Sequence, residues 1–345
     1  AEAEQLAAQA AGRGPFSASA DLRLFDAAGE EDVHVELWRD AATWCPYCEK
    51  VVLALELKRI PYRVKRTPMS CYTSGRKPAE FLRLQPGGQI PVATVRGTVI
   101  RQSNDILQTL EDSFPDHPSL LPSASSPSAN RVGSLLALER QIFSAWLGWL
   151  TSGVADRRFR AEFRAVLERV DAELAADDSG PFFLGAEMSL VDVMYAPFME
   201  RMVPSLAYYK GFEMRGTGEF PHVEAWFAAM DEHPVFSRIK SDYYTHVKAL
   251  PPQLGGCVGV PEAARFVPMV DGHGPHWRLP VASRLEPLLG GDDATCRREA
   301  ARRLVANREA VARFAARALG SPGFPGVRAE LSDPAATPGE AALPA

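Results

Sequence analysis

Residues 33–113 contain short stretches in which apolar and polar side chains alternate, separated by stretches in which apolar side chains recur every three or four residues. Alternation predicts half-buried strands, whereas the longer spacing predicts amphipathic helices. In chain order, the pattern predicts a strand at 33–38, a helix at 45–59, a strand at 62–66, a helix at 78–84, strands at 92–95 and 98–101, and a helix at 103–113.

Two domains are predicted from the order of these elements and from the helical pattern of residues 131–248. The βαβαββα order of residues 33–113 is typical of a thioredoxin-like domain. Residues 114–130 contain four prolines and several serines, which indicates a linker. The fold class is therefore an α/β domain followed by an all-α domain, because residues 131–248 show only helical periodicity. The helical segments are predicted at 131–150, 157–176, 189–203 and 221–240.

The two ends of the chain lack this regularity. Residues 1–32 are rich in Ala, Gly and Glu and are predicted to form an acidic extended arm. Residues 249–320 are predicted to be a C-terminal extension, in which a Gly/Pro-rich stretch precedes an amphipathic helix at 293–319. The arginine stripe of that helix is interpreted as a solvated face, with contact to an acidic partner as the alternative. Residues 321–345 are predicted to be a mobile tail.

The composition of the 345 residues, 46% hydrophobic and 23% charged, is that of a globular protein. The longest uncharged run, 141–155, is shorter than the roughly 18–20 apolar residues that span a bilayer. A net charge of −5 gives no general attraction to nucleic acid or anionic membranes, and the acids of residues 1–32 account for the imbalance. Five cysteines are too few for a disulfide scaffold, which favours a reducing compartment.

Cys45-Pro46-Tyr47-Cys48 lies between the first predicted strand and the first predicted helix, and a C-x-x-C sequence at such a junction indicates redox chemistry. Pro46 suits the first helical position, which places Cys45 at the helix N-terminus. The unpaired N–H groups and the helix dipole favour a negative sulfur there and lower its pKa. Cys45 is therefore predicted to be the nucleophile, and Cys48, one turn later, an optional resolving thiol.

Other interpretations of the cysteines have less support. A zinc site would need two further ligands, and the sequence has no second C-x-x-C and no H-x₃-H pair. No metal is therefore predicted. Three further cysteines are solitary and are interpreted as small buried hydrophobic residues: Cys71, Cys257 and Cys296.

Several segments of the sequence resemble one family. Residues 44–51, WCPYCEKV, and 58–63, KRIPYR, are similar to the opening of cysteine-type glutathione transferases. Shorter similarities are the turn Gln89-Ile90-Pro91-Val92, where the family has a cis-proline, the pair Gln102-Ser103 and the helix start Ser189-x-x-Asp192. Two longer strings resemble the iota class of photosynthetic organisms: residues 205–211, SLAYYKG, and 245–257, THVKALPPQLGGC.

The resemblance implies a glutathione site beside the cysteines. Gln102 and Ser103 match the pair that holds the γ-glutamyl group, and cysteine-type relatives more often carry an acid in place of Gln102. At a helix start, Ser103 offers N–H groups and a hydroxyl to a carboxylate. The Ile90 backbone, before Pro91, can pair with an extended peptide. Lys77 matches a contact to the glycine carboxylate. A plain helix cap for Ser103 and a solvated lysine are the alternatives.

Trp146, Trp149 and Tyr208 are candidates for a second-substrate pocket in the helical domain. Phe143, on the same predicted helix as the two tryptophans, is a further candidate. Aromatic residues at helical spacing are more often core residues, which is the alternative.

The resemblance implies a glutathione-dependent thiol transferase or reductase that acts through a Cys45–glutathione mixed disulfide, on glutathionylated substrates or on dehydroascorbate. Two alternatives stay open: a non-catalytic subunit that uses the fold as a scaffold in a larger chloroplast assembly, and a conjugating glutathione transferase. The expected partners are glutathione and a disulfide substrate, together with a second copy or a larger complex that docks on the arm and extension. The acidic start at Ala1 suits a cleaved chloroplast protein, with the cytoplasm as the alternative.

Overall fold

The N-terminal unit combines a five-stranded sheet with three helices in the part of the chain that the structure describes. The computed structural model describes residues 12–14, 16, 20–69, 77–154, 156–177, 179–271, 308 and 311–312. The strands are β1 (Leu22–Arg23), β2 (Val35–Asp40), β3 (Tyr62–Thr67), β4 (Val92–Val95) and β5 (Thr98–Ile100). The helices are α1 (Pro46–Lys58), α2 (Ala79–Leu84) and α3 (Ser103–Ser113).

Strand β2 lies at the centre of the sheet, whose order is β1-β3-β2-β4-β5. It pairs in parallel with β3 and antiparallel with β4, which in turn pairs antiparallel with β5. Almost every side chain of β2 is buried, as expected for a strand that is covered on both faces. Because β2 ends at Asp40 and α1 starts at Pro46, the cysteine motif lies where the central strand leaves the sheet.

The second unit is helical, and α6 is its most deeply buried element. Its helices are α4 (Val132–Thr151), α5 (Asp156–Leu174), α6 (Leu190–Lys210), α7 (Pro221–Glu232), α8 (Phe236–Ile239), α9 (Tyr243–Leu254) and α10 (Val267–Val270). The Asp192 carboxylate closes the first turn of α6 by accepting the Ser189 N–H at 2.9 Å and the Trp226 Nε1–H at 2.8 Å. The predicted thioredoxin-like unit followed by a helical unit is confirmed.

The helices do not have the character of membrane spans. Within the described ranges, none combines the length and the apolar composition that a bilayer crossing requires.

The end of the predicted acidic arm is packed against the N-terminal unit, which differs from the expected free extension. Strand β1 pairs antiparallel with β3 at the sheet edge. The buried Arg23 guanidinium donates to both oxygens of Glu56 on α1, at 2.8 and 2.9 Å, and the Tyr62 hydroxyl donates to the same carboxylate at 2.8 Å. A strand of two residues is too short to produce an alternating pattern, so the sequence did not reveal it.

The beginning of the C-terminal extension is folded onto α6. Helix α9 continues to Leu254, past the predicted boundary at 248, although Pro251 and Pro252 lie in its last turns. Pro251 has no N–H to donate to the Val247 carbonyl four residues earlier. The Tyr209 hydroxyl of α6 donates to that carbonyl instead, at 2.7 Å. The prolines therefore do not end the helix, because a side chain from α6 replaces the missing donor.

Gly211, directly after α6, allows the next part of the extension to approach closely. Its φ is 61°, and a Cβ there would lie 2.7 Å from the Glu262 carbonyl carbon, in the short 3₁₀ helix Pro261–Arg265. The Val260 N–H also donates to the Tyr209 carbonyl at 2.9 Å. The strings 205–211 and 245–257, which carry the resemblance to the iota class, thus contribute to one packed interface.

Other predictions fall on residues outside the described part of the chain. These are Cys71, Cys296, the amphipathic helix at 293–319 apart from residues 308 and 311–312, the mobile tail at 321–345 and the first residues of the arm.

We expect Glu56→Ala to destabilise the protein strongly, because it leaves the Arg23 charge buried without its carboxylate. Breaking a buried pair in this way costs about 3–5 kcal/mol. The matched control is Arg59→Ala, which removes an exposed pair with Asp26 and should cost less than about 1 kcal/mol. Urea unfolding measures both free energies. Similar losses in the two variants would contradict a structural role for the buried pair.

Candidate active site

The thiol of Cys45 lies at the N-terminus of α1, as the sequence predicts. Cys45 is the residue that caps the helix, and Pro46 is its first helical residue. The Cys45 carbonyl accepts the N–H groups of Cys48 at 3.1 Å and Glu49 at 2.9 Å, which starts the helical hydrogen bonding. Cys45 is 4% exposed and Cys48 is fully buried. Cys45 is therefore the more accessible of the two cysteines.

The two cysteines differ in acidity. A hydrogen bond from the Cys48 thiol lowers the pKa of Cys45, and this outweighs the opposing effects of burial and of Asp40. Burial raises the pKa of Cys48 well above its usual range, and the bond to Cys45 raises it further. Cys45 is thus the first of the pair to ionise, with Cys48 as the thiol that stabilises it. This is the division of roles that a nucleophile and its supporting donor need.

Asp40, at the end of β2, fixes the backbone just before the helix. Its Oδ2 accepts the Trp44 N–H at 2.7 Å and the Cys45 N–H at 3.1 Å, and its Oδ1 lies 3.4 Å from Arg39 Nη2. The sequence analysis missed this residue. A lone acid at a strand end has no distinctive pattern, and only its position five residues before the cysteine could have pointed to it.

Asp40, Cys45 and Cys48 offer three metal-ligand atoms within 4.8 Å of one another. The structure therefore adds a carboxylate to the two thiols that the sequence presents. A structural zinc site has four ligands, and the Asp40 oxygens are already occupied by amide and guanidinium donors. The absence of a metal stays a prediction, with the hydrogen bonding of Asp40 in its favour.

The predicted glutathione-binding residues lie before or at the start of three elements, β4, α3 and α2. The Ile90–Pro91 peptide is cis and leads into β4, whose Val92 pairs with Trp38 of β2. Gln102 caps α3, and Ser103 is its first residue. The Lys77 Nζ donates to the Pro68 carbonyl and lies 5.4 Å from the centre of the Phe81 ring.

Lys50, which the sequence analysis overlooked, connects α1 to the start of α3. Its buried Nζ donates to Asn104 Oδ1 and lies 3.6 Å from Met194 Sδ on α6. Burial lowers the pKa of Lys50 to about 8, although the charges of Glu139 and Cys45 act in the opposite direction. A cation is thus held beside the helix start where the sequence predicts a carboxylate of glutathione.

The predicted second-substrate residues are distributed differently. Trp146 and Trp149 are 2% and 0% exposed, and their Nε1–H groups donate to Ser205 Oγ at 3.0 Å and Asp156 Oδ1 at 2.6 Å. Their placement in a pocket is wrong, because both indoles are core side chains with satisfied donors. The Tyr208 hydroxyl accepts from Lys248 at 2.8 Å and donates to Asp271 at 3.0 Å, at the interface with the extension.

A different group of side chains lies around the motif residue Tyr47. Tyr47 is 38% exposed, and its ring lies 5.6 Å from that of Phe198, which is buried. The Phe198 ring lies 4.8 Å from that of Phe143, a half-buried residue that the sequence offers as a candidate. The Cζ of the exposed Arg140 lies 4.6 Å from the Phe143 ring and 5.2 Å from the Phe198 ring. Tyr47, Phe143 and Arg140 can therefore contact an aromatic or anionic substrate, while Phe198 supports them from the core.

A buried ionic cluster lies behind the start of α1, formed by Glu49, Glu200, Arg201 and His246. Arg201 Nη1 lies 3.1 Å from Glu49 Oε2 and 2.9 Å from Glu200 Oε1. His246 Nε2, from α9, lies 3.1 Å from the same Glu200 oxygen. Charged residues inside helices have no distinctive pattern in a sequence, so the cluster becomes visible only in the fold.

Burial determines the protonation of this cluster. It raises the pKa of Glu49 to about 8 and that of Glu200 to about 7, despite the attraction of Arg201. Burial also lowers the pKa of His246 to about 3, so the imidazole is neutral at pH 7. The cluster therefore holds one fixed positive charge, on Arg201, while the two carboxyl groups titrate near neutral pH as a coupled pair.

Comparison with known proteins agrees with this geometry. A family model for the N-terminal domain of glutathione S-transferases matches residues 44–113, and a model for their C-terminal domain matches residues 138–229. Glutathione S-transferase DHAR2 of Arabidopsis thaliana is 31% identical over 170 residues, which are 49% of this chain and 72% of that protein. The chain belongs to the glutathione S-transferase family.

Two further relatives of this glutathione transferase extend the comparison. Glutathione S-transferase DHAR3, chloroplastic, of Arabidopsis thaliana is 28% identical over 212 residues, which are 61% of this chain and 75% of that protein. Glutathione transferase Omega 3C from Trametes versicolor, known from a crystal structure, is 26% identical to this chain, and the two structures superpose with a TM-score of 0.51. The match covers 61% of this chain and 90% of that one. The family models end at residue 229, so α9 lies beyond them.

We expect Cys48→Ala to raise the pKa of Cys45 in this glutathione transferase, because the variant removes the thiol donor that stabilises the Cys45 thiolate. The rate of Cys45 alkylation by iodoacetamide, measured against pH, gives that pKa directly. Cys257→Ala is the control, since burial raises the pKa of Cys257 to about 12 and keeps it unreactive. An unchanged midpoint in Cys48→Ala would contradict the proposed donor.

We expect Glu49→Gln to make stability less sensitive to pH between about 4.3 and about 8. The folded pKa of Glu49, about 8, exceeds the unfolded value of about 4.3, so its contribution to stability is complete below the lower value and is lost as pH rises through the higher one. Between these values the loss approaches about 1.4 kcal/mol per pH unit, and an amide avoids it. Urea unfolding from pH 5 to 9 measures the difference, with Glu168→Gln on an exposed face as control. Parallel pH profiles for wild type and Glu49→Gln would rule out a raised pKa.

Proposed function

We propose that this chain is a glutathione-dependent thiol transferase or reductase that uses Cys45 as its nucleophile. The observation that carries the proposal is the placement of Cys45 at the N-terminus of α1, where the buried Cys48 thiol lowers its pKa. A serine or tyrosine hydroxyl would be expected there if the protein activated glutathione for conjugation. A low-pKa cysteine instead suits thiol–disulfide exchange.

The first half-reaction forms a mixed disulfide. The Cys45 thiolate attacks the glutathione sulfur of a glutathionylated substrate, a new S–S bond joins Cys45 to glutathione, and the substrate thiolate leaves and takes up a proton. With dehydroascorbate as substrate, the Cys45 thiol and the thiol of one glutathione each give one electron and one proton, which yields ascorbate and the same Cys45–glutathione disulfide. Tyr47, Phe143 and Arg140, which the buried Phe198 supports, would hold the second substrate.

The second half-reaction regenerates the thiol. The thiolate of a second glutathione attacks the mixed disulfide, which releases oxidised glutathione and the Cys45 thiolate. Cys48 could also attack, with loss of its proton, and form an intramolecular disulfide. The raised pKa of Cys48 keeps it protonated at neutral pH, which favours glutathione as the resolving thiol.

Glutathione itself would lie along the edge formed by the Ile90–Pro91 turn and the start of α3. The backbone of Ile90 would pair with the peptide, and the N–H groups around Ser103 would bind the γ-glutamyl carboxylate with the help of Gln102. Lys50, beside Asn104, adds a positive charge to this end of the site. Lys77 would contact the glycine carboxylate.

The finer assignment within the family is to the iota class. Its support is the interface between the strings 205–211 and 245–257, in which the Tyr209 hydroxyl binds the Val247 carbonyl. A chloroplast location belongs to the same proposal, and the similarity to a relative named as chloroplastic favours it. A homodimer, or docking to a larger complex, also stays a proposal.

Incubation with oxidised glutathione tests the nucleophile. We expect intact-mass spectrometry to find one glutathione on the wild type, removable by a reductant, and none on Cys45→Ser, because the sulfur that forms the mixed disulfide is absent. Cys257→Ser serves as the matched control and should behave as wild type. An unmodified Cys45 would falsify the proposal.

Turnover separates the alternatives. We expect reduction of a glutathionylated peptide or of dehydroascorbate, and loss of that activity in Cys45→Ser. Conjugation of chlorodinitrobenzene without thiol transfer would instead indicate a conjugating enzyme. An adduct at Cys45 without turnover of any substrate would favour a scaffold.

A further inference from the structure

The peptide that precedes the nucleophile is held from both structural units. The Trp44 N–H donates to Asp40 Oδ2 at 2.7 Å, at the end of the central strand. The Trp44 carbonyl accepts a hydrogen bond from Arg201 Nη2 of α6. Both backbone polar groups of the residue next to Cys45 are thus bound by charged side chains, one from each unit.

Arg201 is positioned to act on this peptide. Its side chain is 3% exposed, and its Nη1 contacts Glu49 Oε2 at 3.1 Å, Glu200 Oε1 at 2.9 Å and the Pro197 carbonyl of its own helix. A guanidinium is planar and presents its donors in a fixed fork, so these contacts determine the direction of Nη2 as well. The orientation of Arg201 therefore determines where the Trp44 carbonyl is held.

His246 of α9 packs against this cluster. It is buried, and its Nε2 lies 3.1 Å from Glu200 Oε1, but the two atoms do not form a hydrogen bond. Helix α9 lies beyond residue 229, where the match to the family model ends. A side chain outside the matched residues thus helps to enclose the cluster that holds Arg201.

We propose that Arg201 is a positioning residue for Cys45, and that Glu49 and Glu200 set its orientation. The inference rests on the proposed function, since it assigns these residues to the same nucleophile. Thiolate stability at a helix N-terminus depends on how the first N–H groups and the helix dipole are directed at the sulfur. A shift of the Trp44–Cys45 peptide changes that direction.

Electrostatics supports the same assignment. Burial lowers the pKa of Arg201, but Glu49, Glu200 and Cys45 act against it, and the net shift is upward. Of the three negative groups that raise this pKa, Cys45 has the smallest effect, so the main role of Arg201 at the nucleophile is its contact with the Trp44 carbonyl. Arg201 thus combines a backbone contact with a favourable charge.

The test measures the pH profile of Cys45 alkylation by iodoacetamide in the full chain without glutathione. Arg201→Lys keeps the charge but lacks the fork that reaches the Trp44 carbonyl, and we expect its rate at pH 6.5 to fall about three- to tenfold, with the midpoint at higher pH. Glu200→Gln keeps an oxygen acceptor for Arg201 Nη1 and should retain most of the wild-type rate. Glu200→Leu removes that acceptor and should raise the midpoint.

The matched control is Tyr209→Phe. It removes another contact between α6 and α9, the bond to the Val247 carbonyl, without touching the cluster. Its midpoint should equal that of the wild type even if the variant melts at a lower temperature. Equal shifts in Tyr209→Phe and Arg201→Lys would mean that any loosening of α6 raises the midpoint, and would overturn the proposal. Wild-type midpoints in both Arg201→Lys and Glu200→Leu would overturn it as well.

Folding is checked by circular dichroism and thermal unfolding. If Glu200→Leu does not fold, Arg201→Lys gives the comparison by itself, and a wild-type midpoint in that variant would overturn the proposal. Alkylation reports the thiolate without any need for turnover. A protein without transferase activity would therefore refute the proposed function, while a midpoint shift in the variants would still support the positioning role.

Discussion

The start of helix α1 must present an ionisable thiol although nearly all of the helix is buried, packed against α3 and α6. Burial alone disfavours a thiolate, so donors at the helix N-terminus have to outweigh it. The Cys48 thiol provides one such donor, and Asp40 holds the backbone in the orientation that the helix needs. Since the next residue, Glu49, faces α6, the same turn of helix that creates the thiolate also joins the two units.

Periodicity predicts most of the fold because side chains in regular elements face either the core or the solvent. This holds for the long helices and for the hairpin of β4 and β5. It fails for β1, which consists of two residues and is held by a contact between Arg23 and Glu56, 33 positions apart. Trp146 shows a second limit. The spacing of an aromatic residue along a helix is the same whether it packs in the core or lines a pocket.

The candidate site also contains residues that the sequence predicts and residues that only the fold brings together. The cysteine motif is local, so its residues and their order could be predicted together with the helix that carries them. Arg201 and His246 are distant from the motif in sequence and reach it only through tertiary packing. Pro251 and Pro252 gave a misleading local signal, because a hydroxyl from α6 satisfies the carbonyl that the first of them leaves unpaired. From the sequence alone, the N–H donor that a proline lacks is lost to the helix, whereas in the fold the Tyr209 hydroxyl replaces it.

The ionic cluster also bears on where this protein can be divided. The residues that the family models match end before α9, yet Glu49, Glu200 and Arg201 are enclosed together with the imidazole that α9 supplies. A chain shortened to the matched residues would leave these charges facing a gap. The part of the chain that folds cooperatively therefore extends beyond the residues that the family models match. Local opening of α9 and exposure of α1, the helix that carries the nucleophile, are expected to occur as one event.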